Sequence, residues 1–97
     1  KCAENTSSST NYNALYVNGN SKMNIYYSHF VNQSILLKAS AMSTALFSGT
    51  NTGSGNVVGI SADSGAIVTD ASSTTSGSTT KYKVQLGLVV TKGQVFS

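Results

Sequence analysis

The sequence contains few chemically specialised residues. Its 97 residues include no proline, no tryptophan and no arginine, and only one cysteine and one histidine. Charged residues make up 9% of the chain, against about 25% in average soluble domains. Serine, threonine, asparagine and glycine take the place of the usual lysine and glutamate, a composition typical of secreted and surface-displayed β proteins.

The absence of arginine argues against a nucleic-acid partner. Arginine is the residue that makes bidentate contacts with bases and phosphates. The net charge of +3 comes from six scattered lysines. Lys81 and Lys83 would share one face of a strand and form at most a small basic stripe. We therefore expect no nucleic-acid binding.

Catalytic and metal-binding patterns are also missing. His29 is the only histidine, and the three carboxylates, Glu4, Asp63 and Asp70, lie far apart in the sequence. No G-x-S-x-G elbow presents a serine nucleophile, and no cysteine–histidine cluster suggests zinc. The sequence predicts a protein that is not an enzyme and that binds no cofactor or metal.

The single cysteine, Cys2, has no partner in the chain, so it is a free thiol, part of an intermolecular disulfide or a lipid attachment point.

No segment approaches the roughly 20 apolar residues that a membrane-spanning helix needs. The chain shows neither an initiator methionine nor a signal peptide. This is typical of a processed or excised product, and we expect an exported protein, extracellular or on the cell surface.

Strand signals dominate the chain. The pair Asn18-Gly19 between two β-prone runs predicts a hairpin with strands over residues 11–17 and 20–28. A second hairpin is predicted over residues 57–61 and 66–70. Apolar residues at every second position predict one long strand over residues 81–91, and residues 94–97 form a short terminal strand.

The segment 30–47 is ambiguous, because its leucine, alanine and methionine favour a short helix while its serines and threonines favour strands. The strand interpretation is preferred, since everything around this segment indicates β structure. We therefore predict an all-β fold, mainly an antiparallel sheet or small sandwich, with one short helix in residues 30–47 left open. Residues 1–10 are predicted to be a mobile polar terminus, and residues 11–97 a single domain.

The Ser/Thr/Gly-rich stretch AIVTDASSTTSGSTTKYKVQLGLVV, residues 66–90, and the size of residues 11–97 resemble the globular β head domains of pilins, including the type IV kind. This resemblance implies a structural subunit of an exported surface filament or layer. Its partners would be copies of itself. Because the chain lacks the long apolar N-terminal helix of type IV pilins, the resemblance implies either that this helix was cut away or that a separate helical partner chain supplies it.

Two sets of residues are candidates for contacts. An assembly interface, or else ordinary core, is predicted for the apolar residues Ile35, Leu36, Leu37, Met42, Leu46, Phe47, Val95 and Phe96. The alternative function is that of a small secreted adhesin or lectin-like carbohydrate-binding module. Its glycan contacts would be Tyr12, Tyr16, Tyr26, Asn18 and Asn20, because sugar rings stack on aromatic rings and amides bind hydroxyls.

Overall fold

A computed structural model describes residues 13–71, 75 and 77–97 as a parallel β-solenoid. The first coil consists of β1 (Asn13–Val17), β2 (Lys22–Tyr26) and β3 (His29–Val31). The second coil consists of β4 (Ile35–Ala39), β5 (Thr44–Ser48) and β6 (Thr52–Ser54). The third contains β7 (Val58–Asp63) and β8 (Ile67–Asp70). The fourth contains β9 (Thr80–Gln85), β10 (Leu88–Thr91) and β11 (Gln94–Phe96).

Each strand pairs with the equivalent strand of the next coil. The first sheet has the parallel order β1-β4-β7-β9 and the third sheet pairs β3 with β6. The second sheet runs β2-β5-β8-β10 in parallel, and β11 adds to β10 as an antiparallel strand. Asn13 pairs with Ile35 and Ile35 with Val58, so a coil takes 22 or 23 residues.

The corners between sheets stack as regularly as the strands. Where the third sheet leads to the first, Asn32, Gly55 and Gly77 all have positive φ, at 56°, 68° and 83°. The Asn32 N–H donates to the carbonyl of Ser54 at 3.0 Å, and the Gly55 N–H to that of Gly77 at 3.2 Å. A Cβ atom on Gly55 would collide with the side-chain oxygen of Asn32. Asparagine and glycine suit these corners because they tolerate the left-handed region.

The core is a set of side-chain columns running along the solenoid. Phe30 from the first coil and Phe47 from the second meet edge to face, with ring centroids 6.4 Å apart. Leu37 lies over Ile60 in the first sheet, and both are fully buried. The buried apolar residues are Val17, Ile25, Phe30, Leu36, Leu37, Ala39, Ala45, Phe47, Ile60, Ala62, Ala66, Val68 and Val89.

Two buried asparagines join the first coil to the second. Asn51 Nδ2 donates to the carbonyls of Ile25 and Ser48, at 3.3 and 2.9 Å, while its Oδ1 accepts the Ser28 N–H at 3.1 Å. Asn56 is equally buried and bonds in the same way at the next corner. Because these amides satisfy backbone groups that the corners leave unpaired, they are structural residues.

The prediction of an antiparallel sheet or sandwich is wrong. Residues 11–17 and 20–28 do not form a hairpin: β1 pairs with β4 and β2 with β5, both in parallel. The second predicted hairpin fails in the same way, because β7 and β8 belong to different sheets. The physical reason is that a corner turning the chain into the next sheet uses the same turn residues as a hairpin.

The described residues contain no helix, so the short helix left open in residues 30–47 is absent there, and this segment supplies β4 and β5. The predicted strand over residues 81–91 is broken into β9 and β10, because Leu86 adopts a positive φ of 60° at the corner.

Within the described part of the chain, no helix is long and apolar enough to cross a membrane. The predicted mobile terminus, residues 1–10, lies outside the described residues.

Candidate binding groove on the first sheet

Four outward side chains form one column across the first sheet. Tyr16 pairs with Lys38, Lys38 with Ser61, and Ser61 with Lys83. Adjacent strands are about 4.8 Å apart, so the backbones of the two lysines lie about 10 Å apart. The solenoid thus places one lysine on each of the two strands that flank the strand of Ser61.

The column begins with an aromatic–cation contact. Lys38 Nζ lies 5.8 Å from the centroid of the Tyr16 ring, within the range of a cation–π interaction. The Tyr16 side chain is still half exposed. Part of its ring is therefore available to a ligand next to the lysine.

A polar groove of about 250 Å³ crosses this column. It is lined by Ile35, Lys38, Ser61, Ala62, Asp63, Lys83 and Gln85. Ser61 lies at its floor with only 8% exposure, whereas Lys83 and Gln85 are exposed at its rim. Asp63 pairs with Gln85 in the register, which places a carboxylate and an amide side by side at the end of the groove near the corner.

The groove contains charged side chains of both signs, Lys38, Lys83 and Asp63. The two ammonium groups can donate to an anion, and the carboxylate and amide can bind neutral hydroxyl groups. In the described part of the chain no cluster of three or more His, Cys, Asp or Glu side chains is placed to hold a metal ion.

A second, apolar surface lies at the corner between the first and second sheets. Met42 and Leu86 are 66% and 83% exposed, and both adopt positive φ. Beside them is a hollow of about 410 Å³. Its lining consists of Gly65, Ala66, Ile67, Leu86, Gly87, Leu88 and Ser97.

A polar network enters the interior near the last coil. Tyr82 donates its hydroxyl to Asp70 Oδ2 at 3.3 Å and accepts a hydrogen bond from Thr75 Oγ1 at 3.2 Å. Burial is the main cause that raises the pKa of Tyr82 above its ordinary value of 10.0. The Thr75 bond lowers this pKa, and the charge and hydrogen bond of Asp70 raise it further. In the second sheet, Ile25 pairs with Phe47 and Phe47 pairs with Asp70. The third coil therefore has a carboxylate at the position where the first two coils have apolar side chains.

The predicted assembly residues are divided between the core and the surface. Leu36, Leu37 and Phe47 are fully buried in the core. Ile35 and Leu46 are half-buried, and Met42 and Val95 are exposed. Phe96 is half-buried and packs on Tyr82, with ring centroids 4.6 Å apart.

The predicted glycan contacts among the described residues are divided between two sheets and the corner that joins them. Tyr16 faces outward on the first sheet, whereas Tyr26 belongs to the second sheet. Asn18 and Asn20 are exposed at the corner between these two sheets. Tyr12 and Cys2 lie outside the described residues.

Sequence reasoning named Ile35 as a candidate interface residue and Lys83 as part of a small basic stripe, but it did not bring together the residues that line the groove. Lys38, Ser61 and Lys83 are separated by 23 and 22 residues, the length of one coil. A search for an internal repeat of this length would have placed them in one column. The repeat is difficult to detect from the residue types at these positions, because a lysine, a serine and a lysine do not form a recognisable pattern.

No family model, curated protein or solved structure matches this chain.

Proposed function

We propose that this protein is a structural subunit of an exported surface filament or layer, and that its copies assemble by stacking end to end. The observation that carries the proposal is the β9 edge. Among the described residues, β9 pairs only with β7, so one side of this six-residue strand forms the end of the first sheet. An edge of this length is a template for pairing with another chain.

The two ends of the first sheet are complementary because all its strands are parallel. β1 lies at one end and β9 at the other, and among the described residues each has a strand partner on one side only. A copy displaced along the solenoid axis would bring its β1 against β9 and continue the sheet. Such a head-to-tail contact does not close on itself, so it generates an open filament.

Side chains across this contact would repeat pairings that already exist within the chain. Continuing the register would place Lys83 beside Tyr16 of the next copy, as Lys38 lies beside Tyr16 within one copy. Half-buried Tyr82 would meet the half-buried Leu15 of the next copy. The contact thus preserves a cation–π pair outside and apolar packing inside.

The second sheet ends differently. β11 covers the outer side of β10 as an antiparallel strand, and its Val95 is 64% exposed. β11 carries no charged residue that would oppose pairing with a neighbour. It occupies the position beyond β10 that β2 of a copy stacked on β9 would take, so continuation of the second sheet requires β11 to move aside.

Export to the surface is part of this proposal and is supported by composition. Only 9% of the residues are charged, and hydroxyl and amide side chains replace them. Such a surface stays hydrated while repelling its own copies less than a highly charged one would. The likeness to pilin head domains and the separate helical partner stay predictions, and the stacking contact requires neither.

Sedimentation velocity over a range of concentrations, followed by electron microscopy, tests the stacking. We expect elongated oligomers that grow with concentration and lengthen by about 19 Å per copy, four coils at about 4.8 Å each. Aligned filaments should diffract at about 4.8 Å along their axis.

Tyr16→Ser and Tyr26→Ser form a matched pair for this test. The two side chains are 50% and 47% exposed, and both lie in the first coil. Tyr16→Ser should weaken assembly, because it removes the partner of Lys83 in the next copy, whereas Tyr26→Ser should not. A protein that stays a compact particle of 29 × 27 × 23 Å at millimolar concentration would refute the proposal.

Carbohydrate binding is a second candidate function, supported by the groove on the first sheet. The half-exposed Tyr16 ring lies in the same outward column as Ser61 and the two lysines that line the groove. An aromatic ring beside hydrogen-bonding groups is suited to a sugar. Titration of the protein with neutral and acidic oligosaccharides tests this function, and absence of binding to both would eliminate it.

A further inference from the structure

We infer that the groove on the first sheet binds an acidic sugar unit, a uronate or a sulfated sugar, within a linear polysaccharide. This inference rests on the second candidate function, carbohydrate binding, and does not depend on end-to-end stacking. It assigns a role to Lys38, Ser61 and Lys83, which the solenoid brings into one column from three different coils.

The two lysines and the serine can hold one anionic group. The lysine backbones are about 10 Å apart across two strand spacings, and both side chains are long enough to converge over the middle strand. The Ser61 hydroxyl at the floor lies between them. A carboxylate or sulfate there would accept charge-assisted hydrogen bonds from both sides, which are stronger than those between neutral groups.

The other groups in the groove are suited to sugar hydroxyls. Asp63 can accept hydrogen bonds from hydroxyl groups, and Gln85 can both donate and accept. The carboxylate of Asp63 also opposes a ligand that carries anionic charge at every position. A sugar acid meets both requirements, because it combines one anion with several hydroxyl groups.

The size and openness of the groove favour one unit of a chain. Its volume of about 250 Å³ lies below the roughly 300–1,000 Å³ of sites that enclose drug-sized ligands. The half-exposed Tyr16 ring continues the same column beyond Lys38 and can stack on a neighbouring sugar. A polysaccharide can therefore cross the sheet while one acidic unit occupies the groove.

Isothermal titration calorimetry at 150 mM salt tests the inference with four probes. These are a tetrasaccharide of galacturonic acid, a sulfated tetrasaccharide, an uncharged glucose tetrasaccharide and a thymidine oligonucleotide. We expect at least one acidic sugar to bind at least tenfold more tightly than the uncharged one and the oligonucleotide. Comparison of the first two probes identifies a carboxylate or a sulfate as the preferred anion.

Two double variants with the same change in net charge locate the site. K38Q/K83Q removes the lysines of the groove, and K22Q/K92Q removes two exposed lysines outside it. We expect the first double variant to weaken binding at least tenfold and the second less than twofold. S61A, which changes only the floor of the groove, should weaken binding without altering net charge.

The outcomes separate the failure of this inference from that of the function on which it rests. Equal affinity for neutral and acidic sugars would overturn the acidic assignment and leave carbohydrate binding in place. No binding to any sugar would overturn both. Equal effects of the two double variants, or binding to the oligonucleotide as tight as to the acidic sugars, would show general attraction to polyanions and overturn the assigned site.

Discussion

Asn56 Oδ1 accepts a hydrogen bond from the N–H of Gln33, a residue 23 positions earlier, at 2.9 Å. The other end of the same amide donates to the carbonyl of Phe30 at 3.2 Å. One buried side chain therefore ties the second coil to two backbone groups of the first. The distance in sequence equals one coil, so the contact depends on the solenoid register.

Asn56→Ala should lower the free energy of unfolding by about 2–4 kcal/mol, because it removes the side-chain partner of a buried N–H and of a buried C=O. Chemical denaturation of the variant and of the unchanged protein measures this loss. Asn24→Ala is the control, since Asn24 is exposed on β2. Similar losses in both variants would contradict the structural role of Asn56.

Gly59→Ala should also destabilise the protein, by about 2–3 kcal/mol, through overpacking. A Cβ atom there would lie 2.6 Å from both the Lys81 carbonyl oxygen and the Thr75 methyl group. Gly19→Ala is the comparison, because no atom lies within 4 Å of a Cβ atom at Gly19. Only its positive φ of 69° opposes that change, at a cost of about 1 kcal/mol. Denaturation that ranks the two variants in the opposite order would count against the close stacking of β7 and β9.

A disulfide can report directly on the parallel register. Lys22 pairs with Thr44 on the outer face of β2 and β5, so cysteines at these positions would have Cα atoms about 5 Å apart, within reach of a disulfide. In a Cys2→Ser background, Lys22→Cys with Thr44→Cys should oxidise within the monomer, as seen by electrophoresis and mass spectrometry.

The control for the crosslink uses the same first position. Ile67 pairs with Thr44 on the next strand, so Lys22→Cys with Ile67→Cys places the thiols two strands, about 10 Å, apart. This pair should stay reduced, because native disulfides span shorter distances. A monomeric crosslink in the control and none in the test pair would refute the register.

Stability should fall in alkaline solution partly because of Tyr82. Its pKa is raised in the folded protein, mainly by burial, so folding favours the neutral phenol. This contribution is fully present below the ordinary pKa of 10.0 and is lost as the pH rises through the raised value. Thermal unfolding between pH 9 and 11 should therefore show a smaller alkaline loss for Tyr82→Phe.

Thr75→Val provides a second readout for the same phenol. The hydrogen bond from Thr75 lowers the pKa of Tyr82, so removing it should raise that pKa further. Difference absorbance titration of the phenolate, with Tyr82→Phe as the blank, measures the shift. A downward shift in Thr75→Val would contradict the assigned direction of the bond.

Local features of the fold were predictable from the sequence. Alternating apolar residues predicted β structure in residues 81–91, and asparagine and glycine predicted turns such as the one at Asn18-Gly19. The residues that line the groove were not predictable in this way. Lys38 and Lys83 are 45 positions apart and meet only because each coil adds a strand to the same sheet.

The sequence by itself determined that the chain forms short strands separated by tight turns, because side-chain alternation and tolerance of positive φ are properties of neighbouring residues. Only the tertiary structure decided which strands pair. A hairpin and a solenoid corner accept the same turn residues. The choice between them depends on whether residues 22 or 23 positions apart in the sequence pack together in one core. That closure stacks Ile25 on Phe47 and Leu37 on Ile60, and it places the two lysines on either side of Ser61.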